Sequence, residues 1–395
     1  MKIEALGLGW MFVLCASACA VTGDETGPAE PQPTMTPMTP MTPMTPMTAD
    51  ELRTAGHARV CTSADDEAHC HARAVVDAAG AVRPNSLPAG YRPADLRGAY
   101  AITGSGSAAT TIAVVVAFGY PRAEADLATY RSTFGLPACT AASGCFRKVN
   151  QTGGTTYPAA DVGWSEESAL DLDMASAICP NCKLLLVEAT TASNANLAAA
   201  ENEAAALGAH VIGNSYGGAE SGSTAFEPAY NHPGIAITAS AGDAGAGVEF
   251  PASSPHVTAV TGTSLSPAST KRGWTETALG PSGCSALYAK PTWQHDTFCT
   301  KRTVVDVAAV GDPNTGVAVF GPTSSTASAW LVFGGTSVSA AIIAGVYGVN
   351  GGPVTYGSDP YAHPAGLFDI TIGPGAGPAY DLATGMGTPD GTTAF

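Results

Sequence analysis

From about Thr110 onward, short apolar, β-branched runs alternate with segments whose apolar positions recur at helical spacing. The runs "TIAVVVAF", "KLLLVEA", "AHVIGNS", "GIAITASAG", "HVTAVTG" and "WLVFGG" read as buried strands, since a strand covered on both faces shows no polar alternation. Arg122–Phe134, Glu166–Ile178 and Asn194–Leu207 read as the helices between them. This alternation predicts an α/β domain on a parallel sheet with helices on both faces. Reactive residues should then lie in loops at the carboxyl ends of strands, where Gly213-Asn214-Ser215, Gly242-Asp243 and Gly335-Thr336-Ser337 fall.

The amino-terminal pattern differs. Met1 to Ala18 joins Lys2 to an apolar run from Ala5 to Leu14 and then to small residues before Cys19, the layout of an export signal. Ala-Ser-Ala-Cys also resembles a bacterial lipobox, with Ala16 where Leu is usual, so lipidation of Cys19 and plain secretion both stay open. Residues 19–50 carry "TPMTPMTPMTPM" and cannot bury a core, which reads as an extended linker. Residues 51–90 read as a short amino-terminal segment and 91–395 as one large domain. No apolar run past residue 19 is long enough to span a bilayer. The expected location is the medium or envelope of a bacterium, with membrane contact only through a lipid on Cys19.

Composition narrows the partners. Lys and Arg total 17 against 33 Asp and Glu, a formal charge of −16, and no basic cluster is present to track phosphates, so nucleic acid is not expected as a partner. Eight of the ten cysteines lie beyond Cys19 in close couples, Cys61/Cys70, Cys139/Cys145, Cys179/Cys182 and Cys284/Cys299. An even count in an exported chain, with short loops, predicts neighbour disulfides. "CPNC" follows a helix and precedes a strand, the reverse of a redox motif, and reads as a structural clip. "HCH" at His69 to His71 lacks a second ligand pair and reads as a disulfide with flanking histidines rather than a metal site.

The stretch "GGTSVSAA" puts Ser337 at the start of a buried helix, where free N–H groups and the dipole can stabilise an oxyanion. Alone, the motif serves an N-cap as well as a nucleophile. A nucleophile needs a base. None of the eight histidines sits in a His-Gly-Thr helix start, and the strand "IAVVVAFG" ends without a triad Asp. In "WSEESALDLDMASAICP", Glu167, Asp171, Met174 and Ile178 share one stripe at 100° per residue, while Glu166 and Asp173 fall to one side and read as solvated. Two carboxylates in an apolar stripe have raised pKa values and share a proton.

These motifs, with "SAGDAG", "FPASSPHVTAVTGTSL", "NSYGG" and "AEADLATYRSTFGLPACT", resemble the sedolisins, serine-carboxyl peptidases of subtilisin-like fold, from about Tyr91 to Phe395. The chain is similar to a cysteine-bearing bacterial branch of that family. The resemblance implies that Ser337 attacks a peptide carbonyl, Glu167 takes its proton, Asp171 orients Glu167, and Asp243 binds the oxyanion with the Ser337 N–H. A carboxylate cannot donate, so Asp243 must be protonated for that role, and the expected optimum is acidic, about pH 3–5. It also implies one structural Ca²⁺, held by the carboxylates of Asp369 and Asp381 and the carbonyls of Ile370, Gly377 and Ala379, with no other cofactor. Ala379 stands where the family favours glycine, which strains the backbone if φ is positive there. Ala341 replaces a usual proline, and residues 51–90 are too short for the family's large prodomain and read as its remnant. The expectation is a monomeric endopeptidase acting on proteins or peptides. Two other readings stay open: a catalytically silent surface-binding module, and a His-dependent subtilisin-like peptidase.

Overall fold

The computed structural model describes residues 47–62, 64, 66–280 and 282–395. The export signal, Cys19 and most of the linker lie outside these residues. The first element is the short helix α1 (Ala49–Thr54), where Thr48 Oγ1 accepts from Glu51 N while the Glu51 carboxylate accepts from Thr48 N, a reciprocal cap. The linker reading, carried to residue 50, thus overlaps a helix at its end. Strands β1 (Gly56–Arg59), β2 (His69–Cys70) and β3 (Arg73–Val76) and helix α2 (Pro93–Ala99) follow.

The alternation read from the sequence then sets in: β4 (Thr111–Ala117), α3 (Ala123–Thr133), β5 (Phe146–Asn150), α4 (Val162–Ile178), β6 (Lys183–Ala189), α5 (Asn194–Ala206) and β7 (Val211–Asn214). Next come β8 (Tyr216–Ala219), β9 (Ala236–Ser240), β10 (Glu249–Phe250), β11 (Thr258–Pro267), β12 (Trp274–Ala278), β13 (Val307–Val310), β14 (Val317–Pro322), β15 (Ser328–Gly334) and α6 (Thr336–Asn350). The main sheet has eight strands in the order β12-β11-β9-β7-β4-β6-β5, with β13 also on β11. All its pairs are parallel except the β11–β12 edge. Helices α4 and α6 pack on each other against one face, and α5 lies against β4 and β6. The buried β-branched run in β4 sits mid-sheet, as the absence of polar alternation predicts.

One strand lies elsewhere. "WLVFGG" pairs antiparallel with β14 in a separate sheet of order β1-β3-β15-β14. The turn between them, closed by Thr323 N donating to the Ala327 carbonyl, folds the chain straight back, so β15 meets its neighbour locally instead of crossing to the parallel sheet. Residues from the amino-terminal segment complete this sheet, with β3 paired to β15 and β1 to β3. All four neighbour disulfides are present. Cys179–Cys182 joins the end of α4 to the start of β6, the clip expected of "CPNC". Among the described residues, no helix is long and apolar enough to cross a membrane.

Candidate active site

The reactive-site candidates come together where β15 turns into α6. Gly335 is the N-cap, with φ +94°, and a Cβ there would lie 1.8 Å from the His71 carbonyl oxygen, so only glycine fits. Ser337 is the second residue of the helix, not its cap. Its buried Oγ lies 2.9 Å from Glu167 Oε2 and 3.2 Å from the Ser215 carbonyl oxygen, and can donate to either. Among the described residues none of its hydrogen bonds goes to a histidine.

Glu167 reaches this serine because α4 packs directly on α6. Asp161 caps α4 by accepting from Trp164 N at 2.9 Å, and one turn separates Glu167 from Asp171 on the same face. Asp171 Oδ1 accepts from Ser215 Oγ at 2.6 Å. The remaining oxygens, Glu167 Oε1 and Asp171 Oδ2, are buried without a hydrogen bond. Burial drives both carboxyls well above their usual range. For Glu167 the Asp171 charge adds to this, while the Ser337 hydroxyl and the Ala72 N–H pull the other way. A buried pair of this kind holds one proton between them more readily than two charges.

Asp243 approaches from the loop after β9. Its Oδ1 accepts from Thr336 N at 2.9 Å and Thr336 Oγ1 at 3.0 Å. Oδ2 is buried without a partner and faces Gly335, 3.2 Å from where a Cβ on that glycine would lie. The four sequence-picked side chains thus converge on the amino end of one helix. The arrangement offers a hydroxyl, a carboxyl that can exchange a proton with it, a second carboxyl one turn along the same helix, and a third beside the first residue of α6.

Two expectations about α4 are corrected. Glu166 and Asp173 are not solvated: they are 4% and 1% exposed. The helix is covered by α6, β14, α3 and α2 together, so it has no free face. Asp173 Oδ2 accepts from Phe320 N at 2.9 Å, and burial holds its carboxyl well above the usual range. Burial, with the nearby Asp161 charge, pushes Glu166 up to about 8.

No family model matches the chain. Among solved structures, a Pseudomonas sedolisin, a serine-carboxyl proteinase complexed with two molecules of pseudo-iodotyrostatin, is similar with a TM-score of 0.66 and 24% identity, over 77% of this chain and 96% of that one. Fervidolysin from Fervidobacterium pennivorans, related to subtilisin, is similar with a TM-score of 0.51 and 18% identity, over 76% of this chain and 45% of that one. These likenesses establish a subtilisin-like fold. Kumamolisin from Bacillus sp. (strain MN-32) is 30% identical over 78% of this chain, which spans 63% of that protein's length. This likeness accords with the resemblance to the sedolisins carried by the sequence motifs.

Ala341 is buried in α6. The carboxy-terminal loop is drawn together by its acids: Asp369 Oδ2 accepts from Ala379 N at 2.9 Å and Asp381 Oδ2 from Gly377 N at 2.8 Å. Asp381 Oδ1 accepts from the backbone of Ala383 and Thr384, and Ile370 is buried. The donors are all hard oxygens on one short loop, a chemistry that fits Ca²⁺. Ala379 has φ +61°, the strained backbone its place implies.

The site also holds residues that sequence reasoning missed. Ser215, placed by the sequence at a strand end but given no role there, links Asp171 to Ser337. His71 and Ala72 lie against the site from the amino-terminal segment, and His69, His71 and Glu249 bring their ligand-type atoms within 4.8 Å of one another. "HCH" was the available signal, but its acidic neighbour stands 178 residues from His71.

Proposed function

We propose that this chain is an exported serine-carboxyl endopeptidase that hydrolyses proteins and peptides at acidic pH. The observation that supports it best is the buried Ser337 Oγ at 2.9 Å from Glu167 Oε2. Ser337 Oγ adds to the substrate carbonyl carbon while its proton passes to Glu167, and Asp171 sits behind Glu167 to share the resulting proton. The oxyanion meets the Ser337 N–H and a protonated Asp243. Glu167 returns the proton to the leaving amine, and water then cleaves the acyl ester. The buried Glu167–Asp171 pair, holding one proton between them, supports an acidic optimum, expected at about pH 3–5. Export accords with the leader pattern and the four disulfides.

The test is cleavage of a denatured protein mixture from about pH 2 to about pH 8. An acidic optimum is expected, with Ser337→Ala lowering the rate by on the order of 10⁴ or more. A neutral or alkaline optimum lost on mutating a histidine would replace this reading with a His-dependent one. One observation favours the silent-module reading: residues 71 to 73 cover the site. Absence of cleavage at every pH would support it.

We also assign to the loop a structural Ca²⁺, held by Asp369 and Asp381 with the carbonyls of Ile370, Gly377 and Ala379. Calcium added to chelator-treated protein should raise the melting temperature by several degrees, about 2–5 °C. The response should be absent in Asp369→Asn, and an equal response in that variant would remove the assignment. Ala379→Gly should gain up to about 1 kcal/mol in denaturant melts by relieving the positive φ.

A further inference from the structure

The small sheet of order β10-β8-β2 gathers side chains that the serine-carboxyl reading leaves unused. His69 and Cys70 of β2 pair antiparallel with Gly217 and Tyr216 of β8, while Glu249 and Phe250 of β10 pair with Ala219 and Gly218 on the other edge. Alternate side chains of an extended chain share a face. His69 and His71 therefore point together, and Cys70 points away toward its bridge with Cys61. The two imidazoles lie edge to face with centroids 5.2 Å apart. Strands on either side of a third are about 9.5 Å apart, so side chains of β2 and β10 meet only by leaning across β8. Gly217 leaves them the room: a Cβ there would run into Glu249 Oε2 and lie 2.9 Å from His71 Cε1.

Lone pairs converge in that space. Glu249 Oε2 lies 2.7 Å from His71 Nε2 and 3.4 Å from His69 Nε2, and the three atoms fall within 4.8 Å of one another. His71 is held by its other nitrogen. Nδ1 is 2.6 Å from Ser240 Oγ, and the Ser240 hydroxyl donates to the Asn214 carbonyl at 3.4 Å, so Oγ accepts from Nδ1. This tautomer turns the Nε2 lone pair toward the carboxylate, and two acceptors face to face need a cation between them. A proton on His71 would meet that need but leaves His69 Nε2 as it stands, buried without a hydrogen bond. One metal ion engages all three atoms.

We propose that His69 Nε2, His71 Nε2 and Glu249 Oε2 form a binding site for a divalent transition-metal ion of the zinc type, separate from the calcium loop at Asp369 and Asp381. Two imidazole nitrogens with one carboxylate oxygen suit such an ion, whereas Ca²⁺ takes oxygen ligands alone. Zinc bonds of about 2.0–2.2 Å in a tetrahedron put ligand atoms about 3.3–3.5 Å apart. The His69–Glu249 spacing of 3.4 Å already matches, and the His71–Glu249 spacing of 2.7 Å opens slightly to admit the ion. The side chains of His69 and Glu249 are 22% and 14% exposed, which gives the ion a way in and a water molecule the fourth position. Ser240 orients the His71 ring from behind. The ion would join β2 to β10 across β8 and fasten the amino-terminal segment to the body of the protein. Nothing in this assignment depends on the serine-carboxyl reading.

The test is calorimetric titration of the untagged full chain with zinc chloride at about pH 7, where unprotonated imidazole is available. Intact mass first confirms that residues 69 to 71 are present, and excess calcium occupies the loop at Asp369 and Asp381. Expected is one zinc per chain and a melting temperature raised by about 2–5 °C. Cobalt(II) in place of zinc should give the intense visible absorption of a four-coordinate ion rather than the weak bands of the hydrated one. His69→Ala, at a partly exposed position, should weaken zinc binding on the order of 100-fold, and Glu249→Gln, which keeps the shape of the side chain, by at least about tenfold. Ser240→Ala should cost about tenfold through the His71 ring. Absence of binding, or zinc held equally well by His69→Ala, overturns the site. A cobalt spectrum identical to that of the hydrated ion overturns the three-ligand arrangement.

Discussion

Replacing Glu167 with glutamine should lower kcat/KM on an unfolded protein by about 10³–10⁴ while the chain stays folded. The glutamine oxygen can still accept from Ser337 Oγ, and its amide can donate to the unpartnered Asp171 Oδ2, so the buried site gains a hydrogen bond it lacks. It cannot accept a proton in the transition state, and that is the role proposed for Glu167. Ser337→Ala should cost at least as much, and the double variant no more than the worse single one, because the two groups act in one step. Asp171→Asn should be milder, on the order of 100-fold, since it acts through Glu167 and Ser215 rather than on the reacting atoms. Near-normal activity in Glu167→Gln would refute the carboxyl base, whatever the pH optimum.

The parts of this site that could be read from the sequence are those fixed by local periodicity. A helix turns about 100° per residue, so Glu167 and Asp171 had to share a face, and two glycines before Ser337 had to make a tight entry into a helix. Periodicity does not say how many faces a helix buries. Glu166 and Asp173 lie off the apolar stripe, yet α4 is enclosed by α6, β14, α3 and α2, a property of the packed molecule. The same limit applies to β15, recognisable as a strand from "WLVF" but assigned to its sheet only by the turn that returns it to β14. Contacts made across long separations had no local sign. Ala72 stands 95 residues from Glu167, and nothing around "HCHA" marks it as a backbone stretch that lies on a carboxyl base.

The enclosure of α4 predicts that the protein loses stability as pH rises from acid toward neutral. Glu166 has an ordinary value of 4.5 and is pushed up to about 8 by burial and Asp161. In the folded chain it therefore binds a proton more tightly than in the unfolded chain. Between these values the folded state carries more protons, so unfolding free energy falls with pH. The contribution is fully present below about pH 4 and is lost as pH climbs toward about 8, a change on the order of 4–5 kcal/mol from Glu166 alone. Glu167, Asp171 and Asp173, also raised by burial, act in the same direction. Denaturant midpoints measured from about pH 4 to about pH 8 should decline steadily, and Glu166→Gln should flatten much of the slope because an amide carries no titrating proton. A wild-type midpoint that rises across this window, or a slope unchanged in Glu166→Gln, would mean that the helix admits enough water to keep Glu166 ionised. Under the serine-carboxyl function proposed above, the stability profile and the shared proton of the Glu167–Asp171 pair would favour the same pH range, so inactivation on neutralisation should have two separable parts. One reverses at once as the site regains its protons; the other requires refolding.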